Sequence, residues 1–81
     1  MTATTDVRDT VARIWAEVLG VQPKTGDDFF LVGGHSLLAI QMIAELESAL
    51  SITLTVRDVL GNPEIDEFCD FVEETVLRRK V

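Results

Sequence analysis

The sequence is poor in the residues that build metal and disulfide chemistry, with a single cysteine, Cys69, and a single histidine, His35. One cysteine cannot form an intramolecular disulfide framework, and one cysteine with one histidine leaves no zinc constellation. A reducing, cytoplasmic setting fits. Basic residues are also scarce: 7 Lys and Arg face 14 Asp and Glu, a formal net charge of −7. Such a chain is repelled by a phosphate backbone, which makes nucleic acid a poor partner. The acidity equally fits docking to basic patches and simple solubility. No apolar run approaches the roughly 20 residues that span a bilayer, and no basic-then-apolar leader stands at the start, so no membrane role is expected. With 81 residues and 47% hydrophobic content, the chain has material for one small domain over 1–81 and a modest core. It is too short for an elaborate active site.

What the chain does have is a glycine pair ahead of a serine, in Phe29-Phe30-Leu31-Val32-Gly33-Gly34-His35-Ser36-Leu37-Leu38. Glycines let the backbone turn where a Cβ would obstruct it, and the periodic stretch beginning at Leu37 reads as helix. Ser36 therefore falls at a helix N-terminus, where free backbone N–H groups and the positive dipole end favour a negative group such as an attached phosphate. The plain alternative is an ordinary N-cap serine whose hydroxyl accepts from a backbone N–H.

Four helices account for the periodicity. Met1 to Thr5 is small, polar and expected to be loose. Asp6 is placed to cap a first helix with Val7, Val11, Ile14, Trp15 and Val18 on one face, ended by Gly20. The connection from Gly20 to His35 is long for neighbouring helices. Phe29 and Phe30 argue that it is ordered, since fully burying such a side chain gains about 1.5–3 kcal/mol. The second helix, Ser36 to Leu50, buries Leu38, Ala39, Met42, Ile43, Leu46, Ala49 and Leu50 when laid out at about 100° per residue. Leu37, Ile40 and Ala44 fall on the other side with Ser36, beside Gln41.

Ser51-Ile52-Thr53-Leu54 alternates like a strand but has no partner, so an extended connector is expected. It leads to a short third helix with Thr55 as cap and Asp58 at capping-box spacing, closed by Gly61. Val56, Val59 and Leu60 are positioned to touch both the core and any group carried on Ser36. Asn62 is expected to cap a last helix with Pro63 in its first turn and Ile65, Phe68, Cys69, Val72 and Val76 on its buried stripe. Phe71 lies at the margin, and Cys69 reads as a small core residue.

Catalysis by His35 and Ser36 is disfavoured. A nucleophile elbow needs Gly-x-Ser-x-Gly after a strand, and Leu38 stands where the second glycine belongs. No Gly-x-x-x-x-Gly-Lys-Ser/Thr cradle is present either.

The run Asp27-Asp28-Phe29-Phe30-Leu31-Val32-Gly33-Gly34-His35-Ser36-Leu37-Leu38 resembles the thiolation signature of peptidyl carrier proteins of nonribosomal peptide synthesis, D-x-F-F-x-L-G-G-H-S-L, with Val32 in place of the more usual leucine. The resemblance extends from about Val7 to Val76. It implies an all-α, small four-helix bundle of the acyl-carrier-protein type, with a long first loop and a short third helix. It further implies that Ser36 carries covalent 4'-phosphopantetheine, derived from coenzyme A, whose thiol bears an amino acid or peptide.

On that reading the chain is not an enzyme but the substrate of a phosphopantetheinyl transferase, an adenylation enzyme, and condensation, thioesterase or tailoring enzymes. These would dock on His35, Leu37, Ile40, Gln41, Ala44, Val56 and Val59, with the carrier acting as a monomer. Met1 and the absence of a flanking linker fit a free-standing carrier. An acyl carrier of polyketide or fatty-acid synthesis, which more often has Asp-Ser-Leu at the serine, and a non-carrier helical interaction module are the alternatives.

Overall fold

The computed structural model describes residues 4–79, which form four helices and no strand: α1 (Thr4–Leu19), α2 (Ser36–Leu50), α3 (Val56–Gly61) and α4 (Ile65–Arg78). The bundle core is closed by Val7, Val11, Ile14 and Trp15 of α1, by Ala39, Met42, Ile43, Leu46 and Leu50 of α2, and by Ile65, Phe68, Cys69, Val72 and Val76 of α4. These are the stripes that the 3.6-residue period predicts. Val18 and Leu38, expected inside, are half-buried and pack against this core from its edge. Ala49, also expected inside, is exposed in the last turn of α2.

Three expected helix boundaries shift. α1 starts at Thr4, so Asp6 lies in its first turn instead of capping it, with its carbonyl accepting from Thr10 Oγ1 at 2.9 Å. Residues 1–3 of the segment expected to be loose lie outside the described residues. α4 starts at Ile65 with Glu64 at its cap, and not at Asn62 or Pro63. Asn62 instead closes α3, its backbone N–H donating to Val59 O at 3.2 Å and its side-chain amide to Asp58 O at 3.0 Å.

The connector after α2 is extended, as expected, with Ile52 and Leu54 buried and Thr53 exposed. Its strand-like alternation is used against the core without a sheet. Glu47 of α2 holds it by accepting from Leu54 N at 2.9 Å. The Thr55 and Asp58 capping box then opens α3: Asp58 N donates to Thr55 Oγ1 at 3.2 Å and Thr55 N to Asp58 Oδ2 at 2.9 Å. Across the bundle, Arg8 of α1 reaches three carboxylates of α4, with Asp70 at 2.7 Å, Glu73 at 3.0 Å and Asp66 at 3.5 Å. The hydrogen bond to Asp70 leads the causes that raise the Arg8 pKa above its ordinary value. A partly exposed network of this kind contributes little per pair, about 0–1 kcal/mol.

Candidate functional site

The loop from Gly20 to His35 is folded by its own sequence. Asp27 closes one turn, its Oδ2 accepting from Lys24 N at 2.9 Å. Asp28 closes the next. Its Oδ1 accepts from Phe30 N at 2.9 Å and from Leu31 N at 3.2 Å, and its carbonyl accepts from Leu31 N and Val32 N at 3.0 Å. Short carboxylates that fold back on the following amides in this way are a recurrent turn device.

Phe29 then drops fully into the core, edge-on to Trp15 at 5.4 Å between ring centroids and to Phe30 at 5.2 Å. Trp15, on the apolar face of α1, is completely buried as a packing residue. Phe30 is half-buried.

The two glycines serve different purposes. Gly33 adopts φ +112°, a left-handed conformation that side chains disfavour. Gly34 has no such backbone requirement. It lies on Phe29, where a Cβ would run into both the ring and the carbonyl oxygen of that residue, and its N–H donates to Phe29 O at 2.9 Å. The loop is tied to the start of α4 by an isolated antiparallel bridge between Asp28 and Glu64.

From this platform the chain enters α2. His35 occupies the cap position in extended conformation (φ −149°), and its side chain makes no cap hydrogen bond. Ser36 is thus the first helical residue and not the cap, which overturns the N-cap alternative. Ser36 is exposed, and among the described residues its hydroxyl has no hydrogen-bond partner. The first backbone bond into α2 is Ala39 N to His35 O at 2.9 Å, which leaves the N–H groups of Ser36, Leu37 and Leu38 without a protein acceptor. No acidic residue lies in this first turn. A phosphodiester on Ser36 Oγ would meet unpaired donors, the positive dipole end and no opposing carboxylate in that turn, so these residues fit the group that the motif implies.

Around Ser36, His35, Leu37, Ile40, Gln41 and Ala44 are exposed, with Leu37 at 60% and Ile40 at 51% of their accessible surface, so α3 does not cover them. Val56 is half-buried. Val59 is 1% exposed and belongs to the core, which removes it from any docking face. Its neighbour Leu60, expected to touch the core, is 59% exposed instead. Leu31 on the loop is 85% exposed, an apolar surface residue that periodicity could not single out because it lies outside any helix.

Besides Arg8, two ionisable groups away from Ser36 are shifted. Hydrogen bonds from backbone N–H groups, that of Glu67 foremost, hold the Glu64 carboxyl below its ordinary range. Burial pushes the Cys69 thiol up to about 11. Among the described residues no cluster of His, Cys, Asp and Glu is placed to hold a metal ion, and no helix is long and apolar enough to cross a membrane.

An exposed, unpaired serine at the uncapped start of the second helix of a four-helix bundle is the architecture of a carrier domain. The phosphopantetheine attachment site family model matches residues 9–72, and the chain belongs to that family. Its cofactor is therefore covalently attached 4'-phosphopantetheine. Among curated proteins it is 34% identical over 71 residues to the N-(5-amino-5-carboxypentanoyl)-L-cysteinyl-D-valine synthase of Penicillium rubens, a match that covers 84% of this chain. The chain spans only about 2% of that synthase's own length.

Among solved structures it is similar to BlmI, a type-II acyl-carrier-protein from Streptomyces verticillus involved in bleomycin biosynthesis. The TM-score is 0.82 with 28% identity, covering 90% of this chain and 89% of that one. It is also similar to a chain in the complex of the phosphopantetheine transferase Sfp with coenzyme A and a peptidyl carrier protein. There the TM-score is 0.76 with 29% identity, covering 91% and 94% of the two chains. The four helices, the long first loop and the short α3 are those of the peptidyl carrier fold.

Proposed function

We propose that Ser36 Oγ is the atom that receives the phosphopantetheinyl group from coenzyme A, and that the chain then carries an aminoacyl or peptidyl thioester between the enzymes of a nonribosomal peptide pathway. The observation that carries this reading is the exposed, unpartnered Ser36 hydroxyl beside unpaired backbone donors at the start of α2. The attached group supplies a thiol on a flexible tether, the usual division of labour for a group carrier. This chain's own residues supply position. Phe29 and Gly34 set the loop, His35 leaves the helix end open, and Ser36 faces solvent.

The chain itself performs no catalysis on this reading. His35 is exposed and engages its neighbour in no hydrogen bond, which leaves Ser36 without an oriented base of its own. The transferase must bring that base.

Leu37 and Ile40, with His35, Gln41, Ala44 and the half-buried Val56, form the surface on which partner enzymes dock, now without Val59. Because no carboxylate lies in the first turn of α2, this docking rests on apolar contact more than on ion pairs. Transferase, adenylation and condensation or thioesterase enzymes are the partners proposed, acting on a cytoplasmic monomer. The histidine before the serine, together with the peptide-synthetase relatives, favours amino-acid over polyketide or fatty-acyl cargo.

The test is intact-mass analysis after incubation with coenzyme A and a promiscuous phosphopantetheinyl transferase, followed by loading. The wild type gains the arm and is then aminoacylated by an amino-acid-adenylating enzyme, whereas Ser36→Ala stays unmodified with an unchanged fold. Modification of Ser36→Ala refutes the site, and acylation by an acyltransferase alone refutes the cargo class.

A further inference from the structure

The carboxylate of Glu64 holds two separate parts of the chain at once. Oε1 accepts from Glu67 N at 3.0 Å and caps α4, while Oε2 accepts from Gly26 N at 3.2 Å, in the loop 38 residues earlier. The backbone on either side adds two more ties, Phe29 N donating to Pro63 O at 2.7 Å and Ile65 N to Asp27 O at 2.8 Å. Phe29 O in turn accepts from Gly34 N at 2.9 Å, two residues before Ser36. A continuous set of hydrogen bonds therefore runs from the start of α4 through the loop to the threshold of α2. Capping alone is better done by Ser, Thr, Asp or Asn. The extra methylene of a glutamate is of use for the second task, the reach to Gly26.

We propose that Glu64 is a positioning residue which latches the Gly20 to His35 loop onto α4 and so holds Ser36 in the geometry its transferase requires. The proposal rests on the reading of Ser36 as the acceptor. Glu64→Asp isolates the latch, because aspartate keeps the charge and is a preferred cap but is too short to hold both amides.

The experiment follows the full chain in two ways, by amide hydrogen exchange at Gly26 and by steady-state kinetics of phosphopantetheinyl transfer with the carrier as varied substrate. In Glu64→Asp, Gly26 exchange is expected to rise about tenfold, the protection one ordinary hydrogen bond gives. The KM for the carrier is expected to rise about threefold to tenfold with kcat unchanged, since a loosened loop lowers the fraction of binding-competent molecules. Glu64→Thr, a cap with still shorter reach, is expected to behave alike and serves if the aspartate variant folds poorly.

Wild-type KM in both variants overturns the proposal, even with faster exchange at Gly26. A raised KM with Gly26 still protected also overturns it, because the effect then travels by another route. A wild-type chain that is never modified removes the carrier reading and this proposal together, whereas a modified wild type with indifferent variants removes the latch alone.

Discussion

Gly34→Ala is the most informative single perturbation of this molecule, because Gly34 and Gly33 are adjacent and need glycine for different reasons. At Gly34 the added Cβ meets the ring of Phe29 and, more seriously, its carbonyl oxygen, a backbone atom that cannot swing aside. Overpacking of this sort costs about 1–3 kcal/mol. The chain can relieve the clash only by moving Gly34 off Phe29, which breaks the 2.9 Å hydrogen bond between them, worth a further 0.5–1.5 kcal/mol or about that.

The expected sum, about 1.5–4.5 kcal/mol, is a large share of the roughly 4–12 kcal/mol available to a domain of this size. A lowering of Tm on the order of 10–30 °C follows, read by circular dichroism with a urea titration alongside. Adding Phe29→Leu to Gly34→Ala should recover only part of the loss, because the ring is removed and the carbonyl stays. Gly33→Ala, with open space around its Cβ and only an unfavourable φ, should cost about 1–2 kcal/mol and should not respond to Phe29→Leu. A Gly34→Ala protein melting within about 3 °C of the wild type would refute this account of the loop.

Other outcomes follow from the same structure. Phe68→Ala, at a side chain with no exposed surface in the first turn of α4, should cost about 3–5 kcal/mol and leave the domain partly unfolded at 37 °C, measured by chemical denaturation. Leu37→Glu and Ile40→Glu should slow the transferase and loading enzymes while shifting Tm little, and a melting change without a kinetic one would assign these residues to the core.

Cys69, whose thiol burial pushes up to about 11 from an ordinary 9.0, should resist iodoacetamide in the folded protein at neutral pH. Its raised value also sets a sign. The stability it contributes is complete below 9.0, where both states hold the proton, and is lost as pH rises toward 11 because the unfolded thiol ionises first. Cys69→Ala should flatten that alkaline decline. Because Cys69 is the only thiol of the polypeptide and is buried, a thiol carried on Ser36 would have no intramolecular competitor for its acyl group.

Much of this arrangement could be read in the sequence, wherever a local pattern fixes a local structure. The apolar stripes of α1, α2 and α4, the start of α2 at Ser36, the capping box of Thr55 and Asp58 and the ordering of the loop by its Phe29-Phe30 pair follow from spacing and residue type. The misplaced cap of α4 has a tertiary cause. Asn62 looks like the cap of α4, but the amide it would have capped, Ile65 N, is taken by Asp27 O from a distant loop, and the cap passes to Glu64. No window of neighbouring residues contains that contact.

The six residues of α3 are too few for periodicity to decide which face turns inward, so Val59 and Leu60 could not be told apart. Gly34 reads in the sequence only as one of two glycines that let the backbone turn. Its true constraint, the ring beneath it, comes from Phe29 only after the chain has doubled back.

The account stands on Ser36 being the acceptor, and the chain supplies its own controls, since it holds just two other serines, Ser48 and Ser51, both exposed. Ser51 caps the C-terminal end of α2 with φ 55°, where the helix dipole opposes a phosphate, and Ser48 lies within its last turn. Fragment-resolved mass spectrometry of the transferase product therefore measures the claim directly. The predicted result is an arm confined to the peptide containing Ser36, and an arm on Ser48 or Ser51, or none at all, contradicts it.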